Sequence, residues 1–215
     1  MLSADHGAPE APGYLTSLGI PGRYITPGNW NEVPGIAALK RKLGIDGSII
    51  ETYKYPYVYL NRSAIEAKGL EPAVVEDAVV DELMKLDGVA MAVSRSALRK
   101  GSLPDTPIVR SVLRNFSPLR SGDIFVVFEA QSFINEEDGL IVAANHGSPW
   151  AYDTFVPIVV VGSRIKAARV YRPIETVDIA PTLSAVVGAK PPSGSRGRLL
   201  EEVLNDLRSD QDGLR

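Results

Sequence analysis

Between Ser48 and Phe128 the apolar residues switch repeatedly between a period of two and a period near 3.6. That switching confines the chain to mixed α/β architectures. Ile49 to Asn61 is rich in Tyr, Val and Ile and predicts two short strands, or one bent at Pro56. Glu71 to Leu86 places Val74, Val75, Ala78, Val79, Leu83 and Leu86 on one side of an amphipathic helix, with Pro72 suited to its first turn. Val89 to Val93 reads as a compact strand, Ile108 to Asn115 as a second helix and Asp123 to Phe128 as a further strand. This order predicts a small α+β subdomain over residues 48–135.

The flanking segments read differently. Residues 8–47 are rich in Gly and Pro, with turn signals at Pro21-Gly22, Pro27-Gly28 and Asp46-Gly47 and a helix from Val33 to Leu43 stopped by Gly44. Only a stub of strand precedes Asp5, without the basic and apolar runs of a secretory leader, so the chain reads as one that starts inside a larger protein. Residues 136–215 return to buried parallel-sheet character. Leu140 to Ala144 predicts a strand, and Phe155 to Val161, almost wholly apolar, predicts one covered on both faces. Thr176 to Val187 predicts a helix burying Val177, Ile179, Ala180, Leu183 and Val187, and Leu199 to Leu207 a terminal helix. The expected fold is α/β: a partial sheet with flanking helices, its core segments 1–47 and 136–215 separated by the inserted subdomain 48–135.

Composition removes several functions. A net charge of −3 opposes nucleic-acid binding, which needs a basic face. No stretch approaches the roughly 18 apolar residues of a membrane span. With no cysteine, disulfides, thiolate metal sites and cysteine nucleophiles are excluded together.

The chain has two histidines, His6 and His146. Each follows a predicted strand and precedes a glycine, and Asp5 stands beside the first. Ligands collect at the carboxyl ends of strands in open α/β sheets, and Asp and His offer oxygen and nitrogen donors suited to zinc. A histidine after a strand is also commonly a polar loop residue. Spacing alone leaves both readings open.

Three blocks carry a resemblance. Ser3-Ala4-Asp5-His6-Gly7 resembles the Asp-His-Gly signature of the alkaline phosphatase superfamily, in particular the type I phosphodiesterase, nucleotide pyrophosphatase and single-chain alkaline phosphatase group. Asn145-His146-Gly147-Ser148, continuing through Tyr152-Asp153 to Val156-Pro157, is similar to the segment near the end of those enzymes. Thr176-Val177-Asp178-Ile179-Ala180-Pro181-Thr182-Leu183, followed by Gly188 and Pro191-Pro192-Ser193-Gly194, is similar to their closing helix and loop. The resemblance covers essentially the whole chain but only the C-terminal portion of the family's domain.

It implies an alkaline-phosphatase-like partial sheet and a phosphate-ester substrate. It implies two zinc ions in the intact enzyme, with Asp5 and His6 as ligands of one and His146 as a ligand of the other. One metal would activate a Thr or Ser nucleophile and both would clamp the phosphoryl group. The family supplies that nucleophile, an early Asp and an Asp-x-x-x-His pair from segments ahead of Asp-His-Gly, and none can be placed here, so no catalytic residue is assigned. Zinc sites need three or four ligands. Partial or no occupancy, and no turnover, is therefore expected of this chain alone. Exposed sheet surface would favour self-association. By resemblance alone the compartment would be periplasmic or extracellular. A non-catalytic binding or dimerisation module that keeps the fold remnant is the alternative, and sulfatase-like or phosphoglycerate-mutase-like chemistry a third reading.

The remaining polar residues have plainer readings. Asp153 is read as a hydrogen-bonding residue that positions the His146 loop. Ser148 is read as a turn residue, and Tyr53, Tyr55, Tyr57 and Tyr59 as one packed sheet face. Glu136, Glu137 and Asp138 are read as a solvated loop, and Arg110, Arg114 and Arg120 as surface cations.

Overall fold

A computed structural model describes residues 1–25, 28–134, 145–162 and 165–208. The chain forms two compact units: Ala8–Thr154, and Met1–Gly7 with the residues from Phe155 onward.

The larger unit runs α1 (Pro12–Ser17), β1 (Arg23–Ile25), α2 (Pro34–Lys42), β2 (Ile50–Lys54), β3 (Tyr57–Leu60), α3 (Arg62–Ala67), α4 (Pro72–Leu83), β4 (Val89–Ser94), α5 (Arg95–Lys100), α6 (Pro107–Asn115), β5 (Ile124–Phe128), β6 (Ser132–Ile134) and α7 (Ala151–Thr154). Strands β2-β3-β5-β4 form an antiparallel sheet, and β1 pairs with β6 in parallel. All five residues of β5 are buried, because alternate side chains serve opposite faces. Ile124, Val126 and Phe128 meet Ile36, Ile65, Val75, Val79 and Leu83 of α2, α3 and α4. Phe125 and Val127 meet Leu98 of α5 and Val112 of α6. Each such side chain contributes about 1.5–3 kcal/mol on burial.

The predicted helices at 33–43, 71–86 and 108–115 and the strands at 89–93 and 123–128 correspond to α2, α4, α6, β4 and β5. The face of α4 is rotated from the one expected. Val75, Val79 and Leu83 are buried together with Glu76, while Val74 is 63% exposed. Val74 sits about 100° round the helix from Val75, on the side away from Glu76. Glu76 is tolerated inside because the Arg62 guanidinium lies 2.9 Å from its Oε1, and the Ser96 amide and hydroxyl donate to Oε2 at 3.0 and 2.6 Å. Arg62 also bonds Asp123, whose other oxygen accepts the Leu60 amide at 2.7 Å.

The four tyrosines do not share a face. The chain turns at Tyr55-Pro56, and the register Tyr53↔Val58 sets Tyr53 with Val58 while Tyr57 and Tyr59 face the other way. Tyr53 and Tyr55 pack against the first cluster and Tyr57 edge-on to Phe125 in the second. The turn shifts the alternation by an odd number of residues.

The smaller unit contains α8 (Ile179–Val186), preceded by a 3-10 turn at Thr176–Asp178, and α9 (Glu201–Arg208). The expected strand at 155–161 is absent. Leu2 and Val159 form one antiparallel bridge, with both amides donating at 2.8 Å, and Phe155 and Val161 are 79% and 84% exposed. Pro157 removes one backbone donor, and no other described segment pairs with this stretch. The expected strand at 140–144 and the acidic run at 136–138 lie outside the described residues.

The buried side of the 176–187 helix is also not the expected apolar one. Asp178, Pro181 and Thr182 are buried, whereas Val177, Leu183 and Val187 are exposed. Asp178 accepts the Glu175 and Arg198 amides at 3.0 and 2.7 Å. Thr182 Oγ1 donates to the Asp178 carbonyl at 2.7 Å and accepts the Leu200 amide at 3.0 Å. Charge-assisted and buried hydrogen bonds thus fix which side α8 turns towards Leu200, Val203 and Leu204.

Candidate metal centre

Asp5 and His6 lie in the smaller unit. The His6 amide donates to Asp5 Oδ1 at 3.1 Å, and His6 Nε2 stands 3.6 Å from Asp5 Oδ2. His6 Nδ1 lies 2.8 Å from the Gly7 carbonyl, which only accepts, so Nδ1 donates there and Nε2 is the ring nitrogen on the Asp5 side. This is the arrangement in which a backbone carbonyl orients a metal-ligating imidazole. The carboxylate oxygen and Nε2 therefore sit as neighbouring donors of the right types for zinc.

His146 belongs to the larger unit, in the loop ahead of α7. Its amide donates to Asn145 Oδ1 at 2.8 Å. Gly147 adopts φ +111°, and a Cβ there would come within 3.1 Å of the Tyr55 ring. Only glycine takes that conformation readily. Asp153, 4% exposed, accepts the Ser148 amide through Oδ2 at 2.7 Å, and so holds the residue two beyond His146. The Trp150 indole donates to the Phe128 carbonyl at 2.9 Å, tying the loop to the end of β5. The Tyr152 hydroxyl receives the Gln131 amide at 3.2 Å. The sequence reading missed Trp150 and Tyr152 as anchors. A tryptophan inside an otherwise polar motif was the available signal, because an indole is buried only where its N–H finds an acceptor.

The donor types fit zinc; the donor number does not. Among the described residues no three His, Cys, Asp or Glu side chains cluster as a metal site. Two donors in one unit and one in the other fall short of the three or four that zinc takes.

No protein-family model matches the chain. Similar proteins are found over nearly its whole length. Alkaline phosphatase PafA of Elizabethkingia meningoseptica is 31% identical over 208 residues, which is 94% of this chain and 36% of PafA. Alkaline phosphatase PhoV of Synechococcus elongatus is 26% identical over 211 residues. A Myroides odoratus protein named as a calcium-transporting ATPase is 30% identical over 205 residues. The crystal structure of wild-type PafA superposes with a TM-score of 0.78 at 30% identity, over 94% of this chain and 37% of PafA.

The chain is similar to one part of the alkaline phosphatases.

The chain spans about a third of the length of the curated relatives it matches. Its mixed α/β architecture, a small sheet with flanking helices, matches PafA over a partial region. Among its described residues no helix is long and apolar enough to cross a membrane.

Proposed function

We propose that the chain is the C-terminal portion of a two-zinc phosphate-ester hydrolase, and that Asp5 and His6 ligate one metal and His146 the other. The observation that carries this reading is the joint sequence and structural match to PafA, 30% identity at a TM-score of 0.78. The paired Asp5 and His6 donors and the clamped His146 loop support it. In this reading residues 48–135 are an insertion between core segments 1–47 and 136–215. The nucleophile and remaining ligands come from the two thirds of the enzyme that the relatives have and this chain does not span. The chain alone holds zinc weakly or not at all and turns nothing over. Whether the substrate is a monoester, as for an alkaline phosphatase, or a diester, as for a phosphodiesterase or nucleotide pyrophosphatase, depends on groups outside this chain and on the inserted subdomain. The compartment in this reading is the periplasm or the exterior.

The exposed apolar side chains of the smaller unit fit the same reading. Leu2, Phe155, Val161 and Val187 are 69%, 79%, 84% and 72% exposed. Apolar surface of this kind marks an interaction face. In the isolated chain a second copy covers it, so gel filtration is expected to show species larger than the 23.2 kDa monomer. A compact, stable monomer counts against that part of the reading.

The activity test is aryl-phosphate hydrolysis by this chain alone and by this chain joined to the missing two thirds of PafA. Hydrolysis only by the joined protein is expected. Turnover by the short chain overturns the ligand-count argument, and an inert joined protein with native zinc content favours the non-catalytic module.

A further inference from the structure

A small, partly open pocket with room of about 10 Å³ is lined by Ser132, His146, Ser148 and Asp153 together with apolar Pro9 and Ile134. Two of its lining groups carry buried oxygens with no hydrogen-bond partner among the described residues: Asp153 Oδ1 and Ser132 Oγ. Asp153 is 96% removed from solvent, since its exposure is 4%. A carboxylate oxygen left so is costly unless a donor reaches it. A cavity of this size admits about one water, and one water can donate to both oxygens. The other Asp153 oxygen already receives the Ser148 amide at 2.7 Å.

We propose that Asp153 is the positioning residue for His146, gripping the Ser148 amide with Oδ2 and tying the loop to Ser132 on β6 through one water held by Oδ1. The anchor point is rigid because β6 pairs in parallel with β1, at Ser132↔Arg23 and Phe133↔Tyr24. The glycine between His146 and Ser148 has no intrinsic preference for its φ of +111°, so an external clamp is what selects one loop conformation. Asp153 does not itself need to touch metal. The bearing of this clamp on metal binding rests on the reading of His146 as a ligand; the clamp itself does not.

The test uses the 215-residue chain without metal, by NMR. With two histidines in the sequence, the imidazole signals are assigned with His6→Ala. Asp153→Ala is expected to speed exchange of the Ser148 amide about 10- to 100-fold, the range for losing a charged hydrogen-bond acceptor. It should also shift the His146 ring signal while leaving that of His6 in place. Asp153→Asn keeps an acceptor for Ser148 and gains a donor towards Ser132, so it is expected to restore both readouts. Ser132→Ala, which removes no charge, is expected to raise Ser148 exchange severalfold at unchanged melting temperature. Unaltered Ser148 exchange in Asp153→Ala overturns the clamp. Asp153→Asn failing as Asp153→Ala does overturns it too, because the charge, and so direct ligation or ion pairing, would then be what matters. If Asp153→Ala does not fold, Ser132→Ala decides: no change in Ser148 exchange overturns the bridge. No metal enters these readouts, so failure of the zinc reading would leave them as they are.

Discussion

The Arg62 guanidinium stands 2.9 Å from Glu76 Oε1 where α3 meets α4, and the same nitrogen bonds Asp123 beside β5. One half-exposed cation thus neutralises two carboxylates that are 3% and 7% exposed. Its own pKa is raised: burial works against the charge, but the bonds and charges of Asp123 and Glu76 outweigh it.

Arg62→Met should therefore destabilise the larger unit by about 2–4 kcal/mol, because Glu76 loses its nearby cation and Asp123 is left with the Arg95 guanidinium at 3.9 Å. Urea titration followed by tryptophan fluorescence measures this. Combining Arg62→Met with Glu76→Gln and Asp123→Asn should recover part of the loss. Equal stability of Arg62→Met and the parent would mean that the carboxylates find compensation elsewhere.

Much of the larger unit was legible in the sequence. The 3.6-residue period of α4 and the buried run of β5 are local patterns, and the sheet preserved them. Glu76 was not legible, because an apolar pattern cannot show that a charge has a partner 14 residues earlier in the chain. The four tyrosines misled because a turn at Pro56 reverses the chain within the alternating run. Phe155 to Val161 misled because strand character depends on neighbours, and among the described residues only Leu2 pairs there. The candidate donors Asp5, His6 and His146 were legible as motif residues. The clamp on His146 was legible in Asp153 and not in Ser132, which nothing in the motif marks.

Gly197 packs against backbone. A Cβ there would run into the Val177 carbonyl oxygen and come within 2.8 Å of the Asp178 Cα. Gly197→Ala should cost about 1–3 kcal/mol and pull the 196–200 segment off α8. Faster amide exchange at Arg198 and Leu200, which donate to Asp178 and Thr182, would report it. Unchanged exchange at both amides would show that the backbone yields without loss.

Acid should weaken the hold on α9. Hydrogen bonds from Arg172 keep the Glu202 carboxyl down at about 2, from an ordinary value of 4.5. A depressed folded value contributes stability above the unfolded one and loses it as the carboxylate protonates. The contribution is thus complete above about pH 4.5 and fades towards pH 2. The pair is exposed enough that solvent screening keeps its contribution small. Glu202→Gln should be slightly less stable than the parent at pH 7, with the gap closing near pH 2. A gap that widens on acidification would contradict the assignment.

Zinc stoichiometry tests the division of ligands most directly. This chain, joined to the missing two thirds of PafA and purified in zinc, should hold two metal ions by elemental analysis. His6→Ala and His146→Ala should each lower that content to about one, and together to nearly none, since each imidazole serves a different ion. Two ions retained by both single variants would contradict the assignment of Asp5 and His6 to one ion and of His146 to the other.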